Sequence, residues 1–92
     1  MIIINDKIDF ADNISHTTMK IKYYYYVVAI TQGNSVIYIK GTLNTTKDDF
    51  PLRGVQDYIV EHYKKSIKNI AIIFYKEITE DNYKTYNNGK QD

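Results

Sequence analysis

From Lys20 to Thr31 the chain reads KIKYYYYVVAIT, and after Gln32-Gly33-Asn34 a second apolar run extends from Ser35 to Leu43. Both runs are dense in β-branched and aromatic residues and a glycine-containing turn separates them, which predicts a β-hairpin. Alternation assigns its faces. One carries Tyr24, Tyr26, Val28, Ile30, Ile37, Ile39 and Leu43; the other carries Tyr23, Tyr25, Val27, Ala29, Val36, Tyr38 and Lys40. The assignment holds for a Gln32-Gly33 or a Gly33-Asn34 loop, because exchanging them shifts the pairing by two and preserves parity.

Shorter patterns flank the hairpin. Ile2-Ile3-Ile4, the turn formers Asn5-Asp6 and the alternating Lys7-Ile8-Asp9-Phe10 predict a short N-terminal hairpin, and the polar Ala11–Thr18 segment a loop. Asp48 or Asp49 ahead of Pro51 marks a helix start, with acid near the positive end of the dipole. The helix should run from about Leu52 to Ser66, with an apolar stripe of Leu52, Val55, Ile59 and His62 or Tyr63. Asn69 to Ile78 predicts a further strand, placing Ile70, Ile72, Phe74 and Ile78 on one face and Ala71, Ile73, Tyr75 and Glu77 on the other. Glu80 to Asp92 has little to bury and reads as a frayed polar tail, although Tyr83 and Tyr86 could dock.

The expected architecture is thus one α+β domain over residues 1–79 and a polar C-terminal tail over 80–92. A short N-terminal β-hairpin precedes β-β-α-β, and one helix packs on one face of a mainly antiparallel sheet of three to five strands. A single helix covers one face, and the more aliphatic one, with Ile37, Ile39, Ile70, Ile72 and Phe74, is the natural choice. The second face, with Tyr23, Tyr25, Tyr38 and Tyr75, is too apolar for a solvated sheet surface. The N-terminal hairpin, a second copy or a partner should cover it.

Composition narrows the chemistry. Ninety-two residues with no cysteine leave no disulfide framework, thiolate site or cysteine nucleophile. Ten tyrosines without a tryptophan are unusual, yet Ile, Lys, Asn and Tyr together form close to half of the chain. All four can be written with A and T alone, so an AT-rich genome would enrich tyrosine without any function, though it would not set where the tyrosines sit. His16, in Ser15-His16-Thr17-Thr18, reads as a loop histidine and His62 as a core-boundary one. Asp48-Asp49 and Glu80-Asp81 read as dipole complements or solubilising charge, and the scattered glycines form no phosphate loop. No catalytic residue, metal site or cofactor is indicated. The longest apolar run, Tyr23 to Ile30, is far below the roughly 20 residues that span a bilayer, so a cytoplasmic protein without membrane contact is expected.

Two binding modes fit the tyrosine face. Sheet aromatics can stack unpaired bases, but a net charge of +1 supplies little attraction for phosphates. Protein recognition suits the same residues with fewer missing parts, since tyrosine offers a broad, rigid surface that tolerates partial wetting. The expected partner-binding set is Tyr23, Tyr25, Tyr38, Lys40 and Tyr75, acting through the tyrosine face or a sheet edge. The partner would be another protein or a second copy, with single-stranded nucleic acid as the alternative.

Tyr23–Tyr26, the Gly33-Asn34 turn, the helix with Val55, Ile59 and Tyr63, and Asn69-Ile70-Ala71-Ile72-Ile73 resemble a loose set of small phage and prophage proteins. These share an aromatic strand, a glycine-containing hairpin, an amphipathic helix and an aliphatic strand entered through asparagine. The resemblance covers Tyr23 to Ile78 and carries over no functional residue. It implies a mobile-element setting, in which an accessory or counter-defence inhibitor binds a host or rival protein stoichiometrically.

Overall fold

The computed structural model describes residues 2–11 and 20–89. In chain order these form β1 (Ile2–Asp9), β2 (Lys22–Gln32), β3 (Ser35–Thr45), α1 (Leu52–Tyr63), a 3-10 turn (Ile67–Asn69), β4 (Ile70–Ile78) and α2 (Glu80–Gly89). Apart from Ala11, the loop expected over Ala11–Thr18 lies outside the described residues, as does His16. The strands make one sheet in the order β1-β3-β2-β4, with β2 antiparallel to both neighbours and β1 parallel to β3. The protein is a small α+β domain with a mixed sheet.

The central hairpin follows its alternation. Gln32 pairs with Ser35, which leaves Gly33-Asn34 as a two-residue loop, and Gly33 takes the left-handed φ of 61° that such a loop requires of its first residue. Tyr24, Tyr26, Val28 and Ile30 are buried with Ile39 and Leu43 on one face, and α1 adds Val55 and Ile59 to the same core. The helix is shorter than its periodicity suggests. It stops at Tyr63 because Lys64 turns left-handed at φ 56°. Pro51 occupies the cap position, no acid stands in the first turn, and Leu52 is 46% exposed, so the buried stripe begins at Val55.

Three expectations are corrected. The N-terminal segment is one eight-residue strand rather than a hairpin. Asn5 and Asp6 pair with Lys40 and Gly41, and the Asp6 carboxylate accepts the Tyr63 hydroxyl at 2.6 Å and that of Tyr58 at 3.4 Å, so the polar pair has no need of a turn. The second correction lies in β4. Val28 pairs with Ile72 but Val27 with Phe74, which makes Ile73 an extra residue and reverses the alternation beyond it. Ile70 and Ile72 face α1 as expected, whereas Phe74 goes to the opposite face and Tyr75 comes to the α1 side. There Tyr75 stacks on Phe50 at 4.1 Å and 9° between planes, and Phe50 meets Tyr24 edge-on at 5.3 Å. The third is the polar tail, which is helical over Glu80–Gly89.

Gly41 is needed for close approach. A Cβ at this position would lie 2.5 Å from the Asp6 carbonyl oxygen and 2.7 Å from the Tyr26 hydroxyl, with backbone on one side and a fully buried ring on the other. Gly54 differs, since its added Cβ would meet the end of the exposed Phe10 ring at 3.3 Å. Gly41→Ala should therefore lower stability by about 2 kcal/mol or more, in the range of overpacked cores. Gly54→Ala should leave it unchanged or raise it by up to about 1 kcal/mol through helix propensity. Urea unfolding of the two variants checks the contrast.

Candidate functional site

The strand registers arrange the face opposite α1 in rows. Asp9, Asn44, Tyr23 and Ile78 form one row; Lys7, Thr42, Tyr25 and Lys76 the next; Asn5, Lys40, Val27 and Phe74 the third; Ile3, Tyr38, Ala29 and Ala71 the fourth. Thr31 and Val36 extend the fourth row toward the hairpin loop.

α2 covers the first row and much of the second. Its start is well built: Thr79 Oγ1 accepts the Asn82 N–H at 3.1 Å and the Thr79 carbonyl accepts that of Tyr83 at 2.9 Å, while Glu80 and Asp81 place acid in the first turn. Tyr83 is buried against Tyr23, with ring centroids 4.6 Å apart, and Tyr86 stacks on Tyr25 at 5.0 Å and 17°. Thr42 Oγ1 donates to Asn87 Oδ1 at 3.0 Å. Asn44 ties three segments together: its Nδ2 donates to Asp9 at 3.0 Å and to the Tyr83 hydroxyl at 3.1 Å, and its Oδ1 accepts the Ala11 N–H at 2.9 Å. The C-terminal helix, expected as a frayed tail, is what lies over the tyrosines.

The five expected partner-binding residues are thereby separated. Tyr23 and Tyr25 lie beneath α2, and Tyr75 is on the other side of the sheet because of the extra residue at Ile73. Tyr38 and Lys40 are on the half that α2 does not cover, left open among the described residues, joined by Ile3, Val27, Val36 and Phe74. Ile3 is 52% and Phe74 48% exposed. Lys40 is the one charged side chain among the described residues of the third and fourth rows. Phe74 and Ile3 were missed for opposite reasons: nothing in the apolar Ile70–Ile73 run marks the reversed alternation, and Ile3 had been read as half of a separate hairpin.

Elsewhere, His62 is exposed and stacks on Tyr58 at 5.0 Å. Among the described residues no group of three or more His, Cys, Asp or Glu is placed to hold a metal ion, and no helix is long and apolar enough to cross a membrane. Comparison with known proteins finds no matching family model, no matching curated protein and no matching solved structure.

Electrostatics at the seam make α2 docking sensitive to alkali. Burial, and then the Asp9 carboxylate, push the Tyr83 hydroxyl up to about 12, against the opposing pull of the Asn44 amide. Burial and Glu80 raise Tyr23 as well. A phenol raised in the folded protein stabilises it fully below the ordinary value of 10, and that contribution is lost as pH rises through the folded value. The α2 amides should therefore keep their hydrogen-exchange protection up to about pH 10 and lose it between about 10 and 12. Thr79→Ala, which removes the cap, should weaken docking by about 1 kcal/mol at neutral pH, seen as faster exchange of α2 amides with the sheet unchanged.

Proposed function

We propose that the protein is a binding module that captures another protein through the uncovered half of the sheet face beside α2, acting stoichiometrically rather than by catalysis. The observation that carries this reading is the contiguous apolar surface of Ile3, Val27, Val36, Tyr38 and Phe74, of which Ile3, Val36 and Phe74 are exposed and Val27 and Tyr38 partly so, on the side of the sheet away from the α1 core. Scattered single apolar residues need no explanation, but a contiguous set with one aromatic from each of two strands does. Among protein interfaces, such aromatic centres carry most of the binding energy. In a phage or mobile-element setting, the module would be a cytoplasmic accessory or counter-defence protein that occupies a working surface of a host or rival machine.

The nucleic-acid alternative gains Lys7 and Lys76, which share this face at the margin of α2. The open rows themselves hold Lys40 alone among their described residues, so a bound strand would lack the continuous cationic track that backbone binding uses. A second copy seated on the face would appear as twice 10.8 kDa in light scattering.

Tyr38→Ser and Phe74→Ser test the protein reading. Neither ring belongs to the α1 core, so both variants should keep the unfolding midpoint of the parent, while each weakens partner binding by about 2 kcal/mol or more. Pull-down from a host lysate identifies the bound protein, and calorimetry with that protein measures the loss. A partner held equally well by parent and double variant would remove this face from the binding surface.

A further inference from the structure

A second site opens where α2 ends. Among the described residues, a cleft of about 600 Å³ lies between the end of the helix, at Tyr86 and Asn87, and the β1–β3 pair. This volume falls within the range of sites for small organic ligands, about 300–1,000 Å³. Lys7 and Lys40 line it from adjacent strands on the same face of the sheet.

The charge of the cleft is set by where the nearby carboxylates go. Asp6 is a lining residue, but its carboxylate is occupied by the Tyr58 and Tyr63 hydroxyls of α1, on the far side of the sheet. Asp9 is one row away, where Asn44 donates to it at 3.0 Å and Tyr83 at 3.4 Å, and its distance to the Lys7 ammonium is 3.7 Å. Lys40 makes no ion pair within 4 Å among the described residues. The cleft thus presents two ammonium groups with one partial counter-charge at its rim, a surface suited to an anion.

Its remaining walls suit a flat ring. Tyr86 is 50% exposed, and its one ring contact among the described residues is the stack on Tyr25, so a planar ligand can extend the stack from the other face. Asn5 borders the cleft with an exposed amide, which can pair with the edge of a heterocycle. We propose that this cleft binds a nucleotide unit, with the base on Tyr86 and the phosphate between Lys7 and Lys40. Two cations match one phosphate and do not make a track for a polynucleotide backbone. The site meets the protein-binding surface at Lys40 but takes its ring from Tyr86, so Tyr38→Ser and Phe74→Ser should leave AMP binding unchanged.

Titration of the full chain with AMP, followed by amide chemical shifts, tests the proposal. Saturable shifts are expected at Asn5, Lys40 and Tyr86, with adenosine and inorganic phosphate each binding about tenfold more weakly or worse, since each keeps only half of the contacts. Lys40→Ala and Tyr86→Ala should each cost about tenfold in affinity for AMP, while Lys40→Arg restores binding by keeping the cation. A short oligothymidylate competing with AMP for the same shifts would identify the end of a single strand as the source of the nucleotide; failure to compete would identify the free nucleotide. No shifts at millimolar AMP, phosphate binding as tightly as AMP, or shifts unaffected by Lys40→Ala and Tyr86→Ala would each overturn the proposal.

Discussion

A tyrosine ring occupies the middle of the sheet, and the rest of the core is arranged around it. Tyr26 is fully buried on the central strand β2, opposite Gly41 of β3, and it fits because that position has no side chain. Val55 and Ile59 of α1 belong to the same buried cluster, as do Val28, Ile39 and Leu43. The Tyr26 hydroxyl has no hydrogen-bond partner among the described residues, and burial together with the nearby Asp6 carboxylate drives its ionisation far above the usual phenol range. The same carboxylate receives Tyr63 and Tyr58. One acidic side chain in β1 thus anchors the helix through two phenols beside a third that stays neutral, and burial raises Tyr58 and Tyr63 in turn.

The two faces of the sheet are finished by different chemistry. On the α1 side the covering is mainly aliphatic and aromatic around the Asp6 carboxylate, and Phe50 with Tyr75 extends it past the start of the helix. On the α2 side a polar helix is held by two tyrosine rings and a few side-chain hydrogen bonds. α2 therefore covers less than the sheet offers. The open half, with its apolar surface, and the cleft at the helix end both follow from a ten-residue helix lying across strands of eight to eleven residues.

What could be read in the chain depended on how local the deciding interaction was. The faces of the hairpin were legible, down to the parity of each tyrosine, because alternation is a short-range signal, while the choice between a Gln32-Gly33 and a Gly33-Asn34 loop was left to the register. Asp6 was misread because the groups that satisfy it, Tyr58 and Tyr63, stand more than 50 positions away, and an unpartnered Asn-Asp pair inside a strand would indeed favour a turn. The extra residue at Ile73 left no trace, since four consecutive apolar residues fit either face. α2 did leave a signal: Thr79 as cap, Glu80 and Asp81 in the first turn, and Tyr83, Tyr86 and Asn87 at spacings of three and four. Its low overall hydrophobicity outweighed that pattern, although two well-placed rings proved enough to seat it. Of the candidate site, Tyr38 and Lys40 remain where alternation put them, and Tyr75 moved with the register.

The parallel pairing of β1 with β3 imposes an order of assembly. β2 and β3 meet across a two-residue loop, whereas Ile2 must find Ile37 across the whole of β2, so the entropy of closing the larger loop makes β1 a late arrival. During synthesis β1 leaves the ribosome ahead of the strand it pairs with and waits, apolar and unpaired, until β3 has followed. It also brings Asp6, without which Tyr58 and Tyr63 have no acceptor. A strand made before its partner is in this way among the last to be placed, and its arrival completes the polar anchorage of α1.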